Sequence, residues 1–258
     1  MRALVTGAGA RLGRAMALRL AKRGYDVAVH YNGSRQGAEE TARDIEALGR
    51  KAVALKADLL DEGETSALLP QAAEAFGGPV TVLVNNASIF EYDNLATATR
   101  EGWDRHFGSN LRAPFLLIQA LAAQVPDPVP DANGEPVAQG LVVNMIDQRV
   151  RKLTPEFMTY TLAKSALWTL TQTAAQALAP RVRVNGIGPG PTVRGHRQSE
   201  DHFARQRAAT ILQRGSDPED IAIALDYLLL AKAVTGELLC VDGGQHLGWR
   251  TPDILGRG

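Results

Sequence analysis

Tyr160 and Lys164, two side chains able to hold or move a proton, stand four residues apart in the run Tyr-Thr-Leu-Ala-Lys. In a segment of helical period that spacing puts them on one face. A phenol has an ordinary pKa of about 10, and a neighbouring ammonium favours the phenolate and lowers that value. The pair predicts a general acid toward a substrate atom, with the lysine also in reach of a bound ribose. Near the start of the chain, Thr6-Gly7-Ala8-Gly9-Ala10-Arg11-Leu12-Gly13 joins a short apolar run to a helical one. Small residues in such a turn let main chain approach a pyrophosphate, and the first turn of the following helix offers it unpaired N–H groups. A dinucleotide is the expected ligand of this turn.

Arg11 is unusual there, because it sets a guanidinium beside the phosphates. The second apolar run ends His30-Tyr31-Asn32-Gly33-Ser34-Arg35, with no carboxylate to hold a ribose 2′-hydroxyl. Arg11, Ser34 and Arg35 predict a 2′-phosphate pocket, since arginine's forked donors match phosphate oxygens. His30 and Asn32 belong to the same strand end. The cofactor expected from these residues is NADPH in preference to NADH.

Elements that could position these groups follow from the hydrophobic pattern. Ala3 to Thr6, Val27 to His30, Ala52 to Lys56, Val80 to Asn85, Leu141 to Met145, Val182 to Asn185 and Glu237 to Val241 read as strands. Between them, Leu12 to Arg23, Gln36 to Leu48, Gly63 to Phe76, Thr99 to Ala123, Glu156 to Leu178 and Pro218 to Ala231 carry apolar residues at helical spacing. Strands alternating with helices predict an α/β fold, a doubly wound parallel sheet in a single domain over residues 1–258. Residues 126–139, rich in proline, read as a surface loop, and 191–212 as a loop covering the substrate.

The whole-chain numbers exclude some classes. Lysine plus arginine number 28 and aspartate plus glutamate 28, so no global field favours nucleic acid or an anionic membrane. The longest apolar stretch, Ile221 to Val234, is interrupted by Asp226 and Lys232 and is too short to span a bilayer. The opening residues enter a strand at once and leave no room for a cleavable leader, which predicts a cytoplasmic protein. The single cysteine, Cys240, excludes an internal disulfide and reads as a small buried residue. No histidine pair has metal-ligand spacing with a carboxylate partner, so no metal is expected.

Asn85-Asn86-Ala87 after the fourth strand, Asn110, Pro189-Gly190 after the sixth, Thr235-Gly236 and Val241-Asp242-Gly243-Gly244 complete a pattern. With the glycine turn and Tyr160/Lys164, the chain resembles a short-chain dehydrogenase/reductase over nearly its whole length. The resemblance implies a Rossmann-type fold, a homotetramer and a tetrad of asparagine, serine, tyrosine and lysine, with Asn110, Tyr160 and Lys164 in three of the roles. It further implies that Asp58 and Leu59 meet the adenine, that Asn85, Ala87 and Ser88 line the cofactor, and that Thr192 meets the carboxamide. Thr6, Gly7, Leu12, Gly13, Pro189 and Gly190 would complete the cofactor's surroundings.

The serine of that tetrad belongs thirteen residues before the tyrosine, where this chain has Asp147. A hydroxyl donates to an oxygen that becomes negative, whereas an ionised carboxylate only accepts hydrogen bonds and repels the developing charge. Asp147 therefore disfavours a simple ketone and suits a ring that presents N–H groups, or serves, if protonated, as a donor. Thr-Gly-Ala-Gly-Ala-Arg-Leu-Gly-Arg at 6–14, Val-His-Tyr at 29–31, Asn-Asn-Ala-Ser-Ile-Phe at 85–90, Asn-Met-Ile-Asp at 144–147 and Asn-Gly-Ile-Gly-Pro-Gly at 185–190 resemble the pteridine reductase branch. That resemblance implies a pterin or folate-type substrate, with Phe90 stacking on it, Ser88 bonding it, and Asp147 and Tyr160 serving its nitrogens. A carbonyl or 3-oxoacyl-thioester reductase is the other enzymatic reading, and a nucleotide-sensing protein without turnover a third. Arg194, His196, Arg197, His202, Arg205 and Arg207 form a basic run where the substrate would be covered. Trp249 and Arg250 are placed by the same resemblance near a neighbouring subunit's site.

Overall fold

The computed structural model describes residues 1–195 and 198–251. Seven strands form one sheet: β1 (Arg2–Val5), β2 (Asp26–Tyr31), β3 (Ala52–Lys56), β4 (Val82–Asn85), β7 (Gly140–Met145), β8 (Val182–Pro189) and β9 (Leu238–Val241). Their order across the sheet is β3-β2-β1-β4-β7-β8-β9, all parallel. The chain moves outward from β1 in one direction and returns to β4 on its other side, so a crevice opens beyond the carboxyl ends of β1 and β4. The glycine turn leaves β1 at that crevice, and Asn85-Asn86-Ala87 leaves β4.

Strand residues alternate between two cores. Ala3, Val5, Val27, Val29, Val82, Val84, Leu141 and Val143 pack with Met16 and Leu20 of α1 (Arg11–Lys22), Ile45 of α2 (Arg35–Ala47) and Ile221 and Leu225 of α8 (Pro218–Leu230). Leu4, Ala28, Leu83 and Val142 face the other way, onto Leu68 and Leu69 of α3 (Glu62–Phe76), Leu117 and Leu121 of α5 (Ala113–Gln124), and Ala174 and Ala175 of α6 (Met158–Leu178). Period-two alternation in strands that are apolar on both sides is what a sheet covered by helices on each face requires. Among the described residues no helix is long and apolar enough to cross a membrane.

Five elements depart from the pattern expected of the sequence. The single helix expected over Thr99 to Ala123 is α4 (Arg100–Phe107), a π-helical turn (Gly108–Arg112) and α5. Pro114 has no N–H for the carbonyl four residues back, that of Asn110, and the helix widens there. Helix α6 starts at Met158 because Phe157 is left-handed, with φ of 54°. The expected loop 126–139 contains a small antiparallel hairpin, β5 (Val129–Pro130) with β6 (Pro136–Val137), turning on Asp131 and Gly134. The expected covering loop 191–212 contains α7 (Glu200–Ala208), whose first turn Ser199 caps at the His202 N–H. Strand β8 also runs past the expected Asn185, through Gly186, Ile187 and Gly188 to Pro189, which pair with Leu238–Val241. Glycines in that stretch hid the strand from the hydrophobic pattern.

Candidate active site

The glycine turn is held from behind. Thr6 is buried, and its hydroxyl accepts from the N–H groups of Asn86 at 2.9 Å and Ala87 at 3.0 Å. The Asn86 amide in turn donates to the carbonyls of Thr6 at 2.8 Å and Gly7 at 3.2 Å. Gly7 has φ of +63°, which L side chains rarely adopt. A Cβ on Gly13 would stand 2.2 Å from the Gly7 oxygen, so only glycine lets α1 approach the turn this closely. His30 is buried behind the turn: its Nδ1 accepts from the Gly7 N–H at 3.0 Å, which leaves Nε2–H to donate to the Ala57 carbonyl at 3.1 Å. Its ring thus positions the turn, with both nitrogens engaged by main chain.

The turn fits a pyrophosphate. Ala10, before α1, has no side chain to accept the helix's first N–H groups, and no acidic residue stands in that first turn. These donors and the positive end of the helix suit an anion. A second such place adjoins it: the Ser34 side chain caps nothing in α2, whose first turn also lacks an acid. The Gly9 α-carbon faces Ser34, where a Cβ would lie 3.1 Å from the Ser34 oxygen. The expected convergence of Arg11 with Arg35 is not what the structure contains. Arg11, with φ of 51°, donates to the Val193 carbonyl at 3.0 Å, and Arg35 pairs with Glu39 at 2.7 Å. Arg11 ties the turn to the segment after β8, and Arg35 lies along its own helix.

At the carboxyl end of β7, the Tyr160 hydroxyl donates to Asp147 Oδ2 at 3.0 Å, and the Arg149 N–H donates to Oδ1 at 2.8 Å. Burial pushes the Asp147 carboxyl above its ordinary pKa, against the Arg149 N–H and cation, which pull it down. Burial and the adjoining carboxylate push the Tyr160 phenol well above its ordinary value, while the Ser88 hydroxyl and Arg149 oppose this. The expectation that Lys164 lowers the phenol is therefore corrected. Its Nζ donates to the Met145 carbonyl at 2.7 Å, and burial lowers its own pKa to about 8. Near neutrality the phenol keeps its proton, which is the state a general acid needs.

Asn110 stands on the π-helical turn and is fully buried. Its amide holds both polar groups of Ile89, accepting from the N–H at 3.0 Å and donating to the carbonyl at 2.9 Å. It thereby fixes the segment between Ser88 and Phe90. The Phe90 ring meets Tyr160 edge-on at 4.7 Å and lies flat on Phe157 at 4.4 Å. More than half of Phe90 is exposed. The Arg149 guanidinium lies 4.9 Å from the Phe157 ring centre and donates to the Thr154 hydroxyl at 3.0 Å. Phe157 and Arg149 escaped the sequence reading, because neither belongs to a motif and only φ at Phe157 and the stack reveal them.

The remaining expected residues divide in two groups. Asp58 and Leu59 follow β3, where Asp58 Oδ1 accepts from the Leu60 N–H at 3.0 Å, and Asn32 is exposed just past β2. Asn85 is buried, and its amide donates to the Asn144 side chain at 2.8 Å beneath the crevice. Leu12 lies in the first turn of α1. Pro189 ends β8, and a Cβ on Gly190 would stand 2.6 Å from Asp242, so the end of the strand packs against the C-terminal segment. The Thr192 hydroxyl is engaged with Gly190 and Ser216. Of the basic run, Arg207 donates to the carbonyls of Pro191 and Ser216 and pins the segment, and Arg194 donates to the Gln198 carbonyl. Arg205 and His202 lie on α7, whereas His196 and Arg197 fall outside the described residues. The Arg250 guanidinium lies over Trp249 at 5.9 Å.

Comparison with known proteins agrees with this geometry. Residues 7–246 match the family described as Enoyl-(Acyl carrier protein) reductase. The 3-oxoacyl-[acyl-carrier-protein] reductase FabG of Staphylococcus aureus is 33% identical over 250 residues, covering 95% of this chain and 98% of that one. Among solved structures, FolM Alternative dihydrofolate reductase 1 from Brucella suis in complex with NADP has a TM-score of 0.90 at 43% identity, covering 98% of each chain. A short chain dehydrogenase from Burkholderia cenocepacia in complex with NADP has a TM-score of 0.85 at 32% identity, covering 95% of this chain and 97% of that one. With the glycine turn, the buried Asn110 and the Tyr160/Lys164 pair at one crevice, the chain belongs to the short-chain dehydrogenase/reductase family of oxidoreductases.

Proposed function

We propose that this oxidoreductase uses NADPH to reduce a carbon–nitrogen double bond in a dihydropterin or dihydrofolate-type ring. The observation that carries the reading is the Asp147 carboxylate, which accepts the Tyr160 hydroxyl at 3.0 Å. An acceptor-only group there gives no donor to the alkoxide that ketone reduction forms, yet suits a ring with N–H groups. Phe90 adds a flat, part-exposed surface on which such a ring stacks. The FolM structures from two Brucella species, 43% and 42% identical to this chain, are titled dihydrofolate reductases in complex with NADP. They support both the substrate class and the cofactor.

NADPH, when bound, supplies the hydride. Its pyrophosphate would rest on the N-terminus of α1, and its 2′-phosphate near Ser34 at the start of α2, where Arg35 would have to leave Glu39 to reach it. Lys164 would turn from the Met145 carbonyl to the ribose. Tyr160 delivers its proton to the ring nitrogen, and the Asp147 carboxylate, which accepts the Tyr160 hydroxyl, orients the N–H groups of the ring. Ser88, beside the phenol, bonds the ring, and Asn110 keeps Ser88 and Phe90 in register through Ile89.

The second reading, a 3-oxoacyl-thioester reductase, is favoured by the 33% identity to the Staphylococcus aureus enzyme. One experiment separates them: NADPH consumption with dihydrobiopterin, dihydromonapterin, dihydrofolate, a 3-oxoacyl thioester and a simple diketone. The expected order puts a dihydropterin or dihydrofolate first, and the thioester in first place would overturn the proposal. Equal kcat/KM for NADPH and NADH would overturn the cofactor assignment.

A further inference from the structure

The loop that carries Phe90 and the helix turn that carries Tyr160 are joined by a buried polar chain that the proton chemistry leaves unused. The Glu91 N–H donates to His106 Nε2 at 3.2 Å, and His106 Nδ1 lies 2.7 Å from the Thr159 hydroxyl oxygen. That hydroxyl bonds the Asp93 carboxylate, whose other oxygen accepts the Thr159 N–H at 3.2 Å. The Asp93 carbonyl accepts the N–H groups of Phe157 at 2.8 Å and Met158 at 3.4 Å. His106, Thr159 and Asp93 are all buried.

The hydrogen bonds give this chain a direction. His106 Nε2 accepts, so the neutral ring carries its hydrogen on Nδ1 and donates it to Thr159; the threonine's own hydrogen is then left for the acceptor-only carboxylate. Burial lowers the imidazole pKa and keeps the ring neutral. A helix cap alone would not need this arrangement, because Asp93 caps the first turn of α6 without His106 or the Thr159 hydroxyl. Buried polar groups in such number are tolerated only when each is satisfied, and they then specify one geometry.

What they specify is the spacing between the acid and the aromatic surface. Glu91 adjoins Phe90 and Thr159 adjoins Tyr160, while the His106 ring itself packs edge-on to Tyr160 at 6.1 Å. We infer that His106, Thr159 and Asp93 are positioning residues that hold Phe90 against Tyr160, and so set a planar substrate at the distance from which the phenol protonates it. The planar substrate rests on the function proposed above; the link itself does not.

The test compares Thr159→Val, which keeps the shape and deletes the hydroxyl, with Thr159→Ser, which keeps the hydroxyl. The valine variant is expected to raise substrate KM about tenfold and to lower kcat, with NADPH affinity within about twofold of the parent, while the serine variant recovers both. Valine and serine behaving alike, or valine weakening NADPH and substrate equally, would overturn the inference. Hydrogen exchange of the Glu91 amide in the NADPH complex gives a readout free of any substrate: faster in the valine variant and parental in serine. Unchanged exchange in both variants overturns the link. If the parent reduces no dihydropterin, the functional proposal falls by itself, and the substrate it does reduce carries the Thr159 comparison.

Discussion

The two walls of the crevice are made of different material. On the nucleotide side the shape is drawn by main chain, since Gly13 lets α1 within contact of the Gly7 carbonyl, and Thr6 and His30 spend their polar atoms fastening that turn. On the substrate side it is drawn by side chains: Phe90 on Phe157, Arg149 over Phe157, and Asp147 against Tyr160. A main-chain wall depends on the absence of side chains and admits little variation before it fails. A side-chain wall is altered by a single substitution, and aspartate at 147 in place of the family's serine is such a substitution. The first wall identifies the family, and in the function proposed above the second selects what is reduced.

If that division holds, lesions on the two sides separate kinetically. The largest effect belongs to Tyr160→Phe, which removes the acid while keeping the ring against Phe90: kcat is expected to fall by about 10²–10⁴. NADPH affinity measured by titration should stay within about twofold, and a parallel loss of cofactor binding would break the comparison. Gly13→Ala is the reciprocal case, because its Cβ would stand 2.2 Å from the Gly7 oxygen. Displacing the turn should weaken NADPH about 10- to 100-fold, the scale of overpacking a tight site, with kcat at saturating cofactor much less affected.

The same division decides what could be read from sequence. The seven strands and the nucleotide turn were legible because buried parallel strands and close main-chain approach leave compositional marks: apolar runs and glycines at fixed places. Asp147 stands out in the sequence because it occupies the motif position of the family's serine. Phe157 and the His106–Thr159–Asp93 chain were not, since their roles arise from a left-handed φ and from contacts across distant segments. Helix α7 escaped because its residues are mostly polar and none is buried, which leaves no hydrophobic stripe to detect. The Tyr160 pKa does not follow from spacing alone, because burial and the Asp147 carboxylate raise it while the Lys164 Nζ faces the Met145 carbonyl.

A smaller effect tests the substrate wall. Phe90→Leu keeps an apolar side chain but removes the flat face, and should raise the KM of a dihydropterin about tenfold, the worth of an aromatic stack. The KM of a non-planar diketone should change little. Equal effects on both substrates would mean that Phe90 only supports its loop. On the cofactor side, Lys164 has its pKa lowered to about 8 and is cationic below that value. Since the cation is the form that would hold the ribose, kcat/KM for NADPH is expected to decline as pH rises through about 8, and Lys164→Arg should flatten that limb.

The smallest effect is on stability, at the residue that distinguishes this site. Burial raises the Asp147 pKa in the folded chain above its unfolded value. The fold therefore binds that proton more tightly than the unfolded chain does. The resulting stability is fully present below the ordinary carboxylate range and is lost as pH rises through the raised folded value. Above that value the carboxylate is ionised and held out of water, with the Tyr160 hydroxyl and the Arg149 N–H as partial compensation. Asp147→Asn keeps an acceptor for the phenol and cannot ionise. Measured at pH 8, its Tm should exceed the parent's by about 2 °C, the difference narrowing as pH falls through the folded carboxyl's titration, while turnover drops. A variant that melts below the parent at pH 8 would show that the carboxylate's hydrogen bonds outweigh its desolvation, and that the substrate wall is held by the same charge that equips it for chemistry.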